Sequence, residues 1–86
     1  MTAESPARHR VTLLSKPGCH LCDDARAVIA RVCGDLGVRW EEVDITTSPR
    51  LWADHHQRIP VTLVDDRELD FWRVDEPRLR AALLAG

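Results

Sequence analysis

Ser15-Lys16-Pro17-Gly18-Cys19-His20-Leu21-Cys22 is the stretch on which the fold turns. Its two cysteines stand three apart. Before them lies a short apolar run (Val11, Leu13, Leu14), and after them a helical pattern (Cys22, Arg26, Ile29, Cys33). A Cys-x-x-Cys where a strand gives way to a helix is the sequence form of a dithiol redox site. The competing readings are two merely buried cysteines or half of a zinc site. Zinc takes about four ligands, and the chain has no second Cys-x-x-Cys and no Cys/His pair; His55 and His56 fall on another predicted element. A c-type haem attachment is excluded because Cys22 is followed by Asp23 rather than histidine.

The bulk properties set the frame around this motif. The 86 residues make one domain with a limited core. A hydrophobic fraction of 44% and a charged fraction of 30% are those of a water-soluble globular chain. The net charge of −2 leaves no basic footprint for nucleic acid. No apolar run approaches the ~20 residues of a membrane helix. The N-terminal residues lack the apolar centre of a signal peptide. A cytoplasmic monomer with no membrane partner is therefore expected, in a compartment where thiols stay reduced. Three cysteines there point to redox or metal chemistry rather than a disulfide framework. Lys16, beside the cysteines, is the only lysine.

Taken outward from the motif, the pattern predicts β-α-β-α-β-β-α. Residues 1–8, polar and with Pro6, read as a flexible tail, and 9–86 as the domain. Val11 to Leu14 is strand one, ended by Pro17-Gly18. Helix one runs from Cys19 or His20 to Gly34 or Asp35, its apolar face being Cys22, Ala25, Ile29, Val32, Cys33 and Leu36. Val38 to Ile45 alternates as strand two. Ser48-Pro49 starts helix two, which reaches Gln57 with Leu51, Trp52 and His55 turned partly inward. Ile59 to Val64 is strand three, Asp65-Asp66-Arg67 a turn, and Glu68 to Val74 strand four with Leu69 and Phe71 on one face. Asp75 caps a last helix with an apolar stripe of Leu79, Ala82 and Leu83. A right-handed crossover makes strands one and two parallel; the hairpin makes strands three and four antiparallel. A mixed four-stranded sheet flanked by three helices follows.

This element order, the Cys-x-x-Cys at the first strand–helix junction and Ile59-Pro60-Val61 together resemble the thioredoxin superfamily. The short length and the Ser15-Lys16-Pro17-Gly18-Cys19 approach are most similar to the small bacterial glutaredoxin-like proteins, over residues 10–84. The resemblance implies an α/β thioredoxin-like fold of glutaredoxin type. It implies that Cys19 is the nucleophile and Cys22 the resolving cysteine of a dithiol–disulfide oxidoreductase. It implies that the Ile59–Pro60 peptide bond is cis and faces the dithiol, with Ile59 offering backbone groups to substrate. Lys16 and the acidic Asp75 stand at positions that help hold substrate. No bound cofactor or metal is implied. The substrates are disulfides of proteins or small molecules, with glutathione as a co-substrate or a thioredoxin-reductase-type enzyme as electron donor. Two departures bear on that choice. His20-Leu21 replaces the family's usual Pro-Tyr type of pair, and Trp72-Arg73-Val74 stands where glutaredoxins carry a Gly-Gly pair. The alternative to an enzyme is a redox-fold binding module or metal carrier using Cys19 and Cys22.

The remaining residues divide between structural and functional readings. Exchange requires a thiolate, and a helix N-terminus favours one through its dipole and unpaired N–H groups. Lys16 and a protonated His20 add to that field, while Asp23 and Asp24 oppose it. Cys33 lies about three turns beyond Cys22, too far for a disulfide at ~1.5 Å rise per residue, and reads as a core cysteine. Trp40, Trp52 and Trp72 read as core or partner-surface aromatics, with Trp72 the best candidate for a substrate-facing ring. Arg73 reads as cover for the sheet edge or as part of a carboxylate site.

Overall fold

A computed structural model describes residues 8–85. Residues 1–7 of the expected tail lie outside the described residues. The elements are β1 (Arg10–Ser15), α1 (His20–Leu36), β2 (Arg39–Asp44), α2 (Pro49–His55), β3 (Val61–Val64), β4 (Arg67–Phe71) and α3 (Glu76–Leu84), with a 3₁₀ turn at Ile45–Thr47. The predicted order is the observed one. The sheet runs β2-β1-β3-β4. β1 pairs parallel to β2 and antiparallel to β3, and β3 pairs antiparallel to β4.

β1 is central and covered on both faces, so every residue from Val11 to Ser15 is buried. Two core clusters flank it. On one face Val11 and Leu13 meet Ala25, Ile29, Val32 and Cys33 of α1 and Leu79 and Leu83 of α3. On the other, Leu14 meets Val61, Ile45, Ile59 and Cys22, with Leu51 of α2 packed over them. The second cluster is the floor beneath the cysteines, since Cys19 also rests on it.

Element ends differ from the sequence reading for local reasons. α1 runs through Gly34 and Asp35 to Leu36, which packs on the core. Gly37, at φ 70°, then provides the left-handed stop, and the Gly37 and Val38 N–H groups both donate to the Cys33 carbonyl. β2 begins at Arg39 and stops at Asp44, because the Asp44 carboxylate accepts from the Thr46 N–H and turns Ile45 into the 3₁₀ segment. α2 ends at His55, before Gln57, and has no fully buried residue. Leu51 packs inward, but Trp52 is 41% exposed and its ring stacks on His56 instead.

The largest correction concerns β4. Asp65 and Asp66 both take positive φ, forming a two-residue hairpin turn, and Arg67 belongs to the strand opposite Val64. A bulge then intervenes: Leu63 pairs with Glu68, yet Thr62 pairs with Asp70. Leu69 therefore packs on the α1/α3 side while Phe71 lies opposite Val61, so the two do not share a face. The strand ends at Phe71, and Trp72 and Arg73 lie in the loop before α3.

Candidate functional site

The site forms where the C-terminal end of β1 meets the first turn of α1. Cys19 is the N-cap of α1, with extended backbone (φ −99°, ψ 111°), and its sulfur accepts the Cys22 N–H at 3.2 Å. A cysteine thus occupies the position where a small polar residue normally binds an unpaired amide. Negative charge on that sulfur would gain both this hydrogen bond and the positive end of a 17-residue helix. Cys19 is half-buried, whereas Cys22 is 1% exposed. Burial, reinforced by a hydrogen bond to the Cys19 sulfur, pushes the Cys22 thiol up to about 12. The two sulfurs are therefore unlike: one reachable from solvent and supported as an acceptor, the other enclosed and held protonated. Cys33 lies in the separate α1/α3 cluster, where burial pushes its thiol up to about 11.

On one side of Cys19 lies a groove of about 640 Å³, walled by Lys16, His20, Asp23, Arg26 and Glu42 among others. Its far wall is a charged lattice that the sequence did not announce. Arg26 donates twice to Glu42, both at 2.6 Å, and once to Asp23 at 2.7 Å. Buried Ser15 donates its hydroxyl to Glu42 at 2.6 Å. The Arg26 guanidinium, with Ser15 second, holds the Glu42 carboxyl below the usual range. These partners are 16 and 27 residues apart in sequence. The one signal for them is the parallel register, which sets Ser15 beside Asp44 and Leu13 beside Glu42. Lys16 leans the other way, its ammonium 6.0 Å from the centre of the Trp52 ring.

On the other side is the Ile59–Pro60 segment. The peptide bond between them is cis, and Ile59 belongs to the cluster under Cys19 and Cys22. Trp72 is tied to this segment: its N–H donates to the Pro60 carbonyl at 2.7 Å, and its indole N–H donates to the Gln57 carbonyl at 3.2 Å. Asp75 caps α3 by accepting the Arg78 N–H at 3.1 Å, and its own N–H donates to Asp70. One Asp75 oxygen is thereby committed to the helix. The structure brings Cys19, Cys22, Ile59 and Lys16 together around one floor and its rim, and Asp75 stands beyond the Trp72 loop. Among the described residues, no three His, Cys, Asp or Glu side chains converge to hold a metal ion. Nor is any helix there long and apolar enough to cross a membrane.

Comparison with known proteins agrees with this fold. The Glutaredoxin-like domain (DUF836) family matches residues 10–84. An uncharacterized protein of Mycobacterium tuberculosis is 38% identical over 80 residues, covering 87% of this chain and 82% of that protein. A structural genomics target protein from X. campestris, solved by X-ray, superposes with a TM-score of 0.69 at 36% identity, covering 85% of this chain and 93% of the other. The thioredoxin of Fasciola hepatica superposes with a TM-score of 0.64 at 18% identity, covering 90% of this chain and 79% of that one. This last likeness concerns the fold, which is thioredoxin-like with a mixed four-stranded sheet and three helices.

Proposed function

From a chain that belongs to the glutaredoxin-like domain family, we infer a dithiol–disulfide oxidoreductase in which Cys19 is the nucleophile and Cys22 the resolving cysteine. The observation that carries this reading is the inequality of the two sulfurs. Cys19 accepts an amide hydrogen bond at the start of α1 and is accessible, while Cys22 is enclosed one turn in with its thiol pushed up to about 12.

The Cys19 thiolate attacks one sulfur of a substrate disulfide, forms a Cys19–substrate mixed disulfide and expels the other substrate sulfur as a thiolate, which takes a proton from water. Cys22 then loses its proton to solvent and attacks the Cys19 sulfur. The Cys19–Cys22 disulfide forms and the second substrate thiol leaves. Two electrons have passed from the dithiol to the substrate. An external dithiol donor, or two molecules of a monothiol such as glutathione, returns them by the reverse exchange. Burial of Cys22 confines its attack to the Cys19 sulfur one turn away, and makes ionisation of its thiol the demanding part of that step.

In this reading Lys16, Ile59, Pro60 and Asp75 form the substrate-binding rim. The Ile59 backbone meets an extended substrate segment, Pro60 walls the mixed disulfide, and Lys16 and Asp75 supply charges of opposite sign at its ends. The test is reduction of insulin disulfides with two donor systems compared: glutathione with its reductase, and thioredoxin reductase. Catalysis by the native chain with one donor, lost in Cys19→Ser, is expected. Absence of catalysis with both donors, with the two thiols free and reactive to a thiol reagent, overturns the reading.

A further inference from the structure

Trp72 is held in a conformation its side chain disfavours. Its φ is +67°, in the left-handed region that suits glycine and that a bulky residue enters only against steric resistance. Asp65 and Asp66, the other non-glycine residues with positive φ among those described, occupy a hairpin turn that requires it. Trp72 is instead the central residue of a three-residue turn, closed by the Arg73 N–H donating to the Phe71 carbonyl at 2.8 Å, a strained turn for a bulky side chain. Its two hydrogen bonds, to the Pro60 and Gln57 carbonyls, fix backbone and indole together. Phe71 packs edge-on against the ring at 5.0 Å and 77°. Despite these anchors the residue is 52% exposed. An aromatic that is strained, fixed from several sides and half in solvent contributes little to the core. Strain of this kind collects where a surface is shaped for contact.

That contact surface is a groove of about 310 Å³ between the Trp72 loop and α1, near the lower limit of about 300 Å³ for a small-ligand site. Leu21, which lies between the two cysteines, lines it with Ala25 and Val28, one helical stripe leading away from the dithiol. Val74 closes the far wall. Asp24 and Arg73 are its charged residues, one of each sign. The groove is thus apolar and electrically balanced.

We propose that Trp72 determines specificity, by gripping with Leu21 a large apolar side chain next to the reacting cysteine of a polypeptide disulfide. This rests on the exchange reading above. Such a side chain matches the apolar walls, and the offsetting Asp24 and Arg73 give no net field for an anion. Glutathione, a net anionic tripeptide, has no apolar side chain to place there.

The test uses prereduced protein in single turnover, which needs no electron donor. Two symmetric peptide disulfides are compared, identical except for leucine or serine beside the cysteine. The native chain reduces the leucine peptide about tenfold faster, the order expected for burying one aliphatic side chain. In Trp72→Gly, whose backbone accepts φ +67° freely, the ratio collapses toward one. In Trp72→Phe, which keeps a ring, most of the preference survives. A ratio near one in the native chain, or a tenfold ratio surviving in Trp72→Gly, overturns the proposal and leaves the exchange reading intact. No reduction of either peptide by a chain with two free thiols overturns both.

Discussion

The Cys22 N–H donates to the Cys19 sulfur at 3.2 Å, so the second cysteine of the pair supports the first through its backbone while its own thiol is buried. One residue thereby has two separate effects. The amide needs only the helical turn to be present, and any residue but proline at position 22 supplies it. The thiol also hydrogen-bonds with the Cys19 sulfur, but as a nucleophile it is needed only for the second chemical step.

Replacement of the thiol therefore separates the steps. Cys22→Ser retains the amide donor and the first turn of α1, so it attacks a substrate disulfide and stops at the mixed disulfide. Cys19→Ser removes the accessible sulfur and forms none. Turnover of Cys22→Ser falls at least about 100-fold, because an external thiol must replace an intramolecular one, and millimolar thiol partly restores it. Intact-mass measurement of each variant after exposure to a peptide disulfide checks this. Equal adduct on both variants would reverse or void the assignment.

Arg26 and Glu42 give a prediction of opposite signs. The Glu42 carboxylate adds to the charge that resists ionisation of Cys22, and Arg26 offsets it by pairing with it. Glu42→Gln should move the pH dependence of mixed-disulfide resolution to lower pH, and Arg26→Gln should move it to higher pH. Each shift is less than about one unit for a partly solvated charge. Stopped-flow decay of a preformed mixed disulfide, followed across pH in both variants, reads the two signs. Shifts in the same direction would show that the lattice acts through the position of α1 rather than through charge.

These partners also mark where the sequence stopped being informative. The Cys19–Cys22 spacing, the apolar face of α1 and the Ser48-Pro49 and Asp75 helix starts were legible because each is a local pattern whose cause lies within one or two turns. Leu69 and Phe71 do not share the face that strict alternation predicts, because alternation assumes an unbroken ladder and the bulge at Leu69 has no composition cue as clear as glycine. The Ser15–Glu42–Arg26 lattice depends on strand register, which long-range pairing fixes. Trp72 was visible as a departure from a glycine-bearing pattern. Its left-handed backbone and its ties to Gln57 and Pro60 arise only from the closing of β4 onto the Ile59–Pro60 segment.

Acid should weaken the charged link between α3 and α1. Glu76, in the first turn of α3, accepts from Arg31 of α1 at 2.6 Å and from Arg80 at 3.0 Å, and Arg80 also reaches Asp35 of α1 at 2.7 Å. Arg31 first and Arg80 second pull the Glu76 carboxyl down to about 2. A carboxyl lowered in the folded state stabilises the fold fully above its ordinary value of 4.5, and the contribution fades as pH falls from there toward about 2. Melting temperature followed from pH 7 downward should therefore begin to drop below the ordinary glutamate range, with the Asp65 and Glu42 carboxyls, also lowered, adding to the fall. Glu76→Gln should melt lower than the native chain at neutral pH, and the gap should close as pH approaches 2. The gap should be small and should shrink in high salt, since the cluster is solvent-exposed. A gap constant from pH 7 to pH 2 would mean that Glu76 acts through helix geometry, not through its charge.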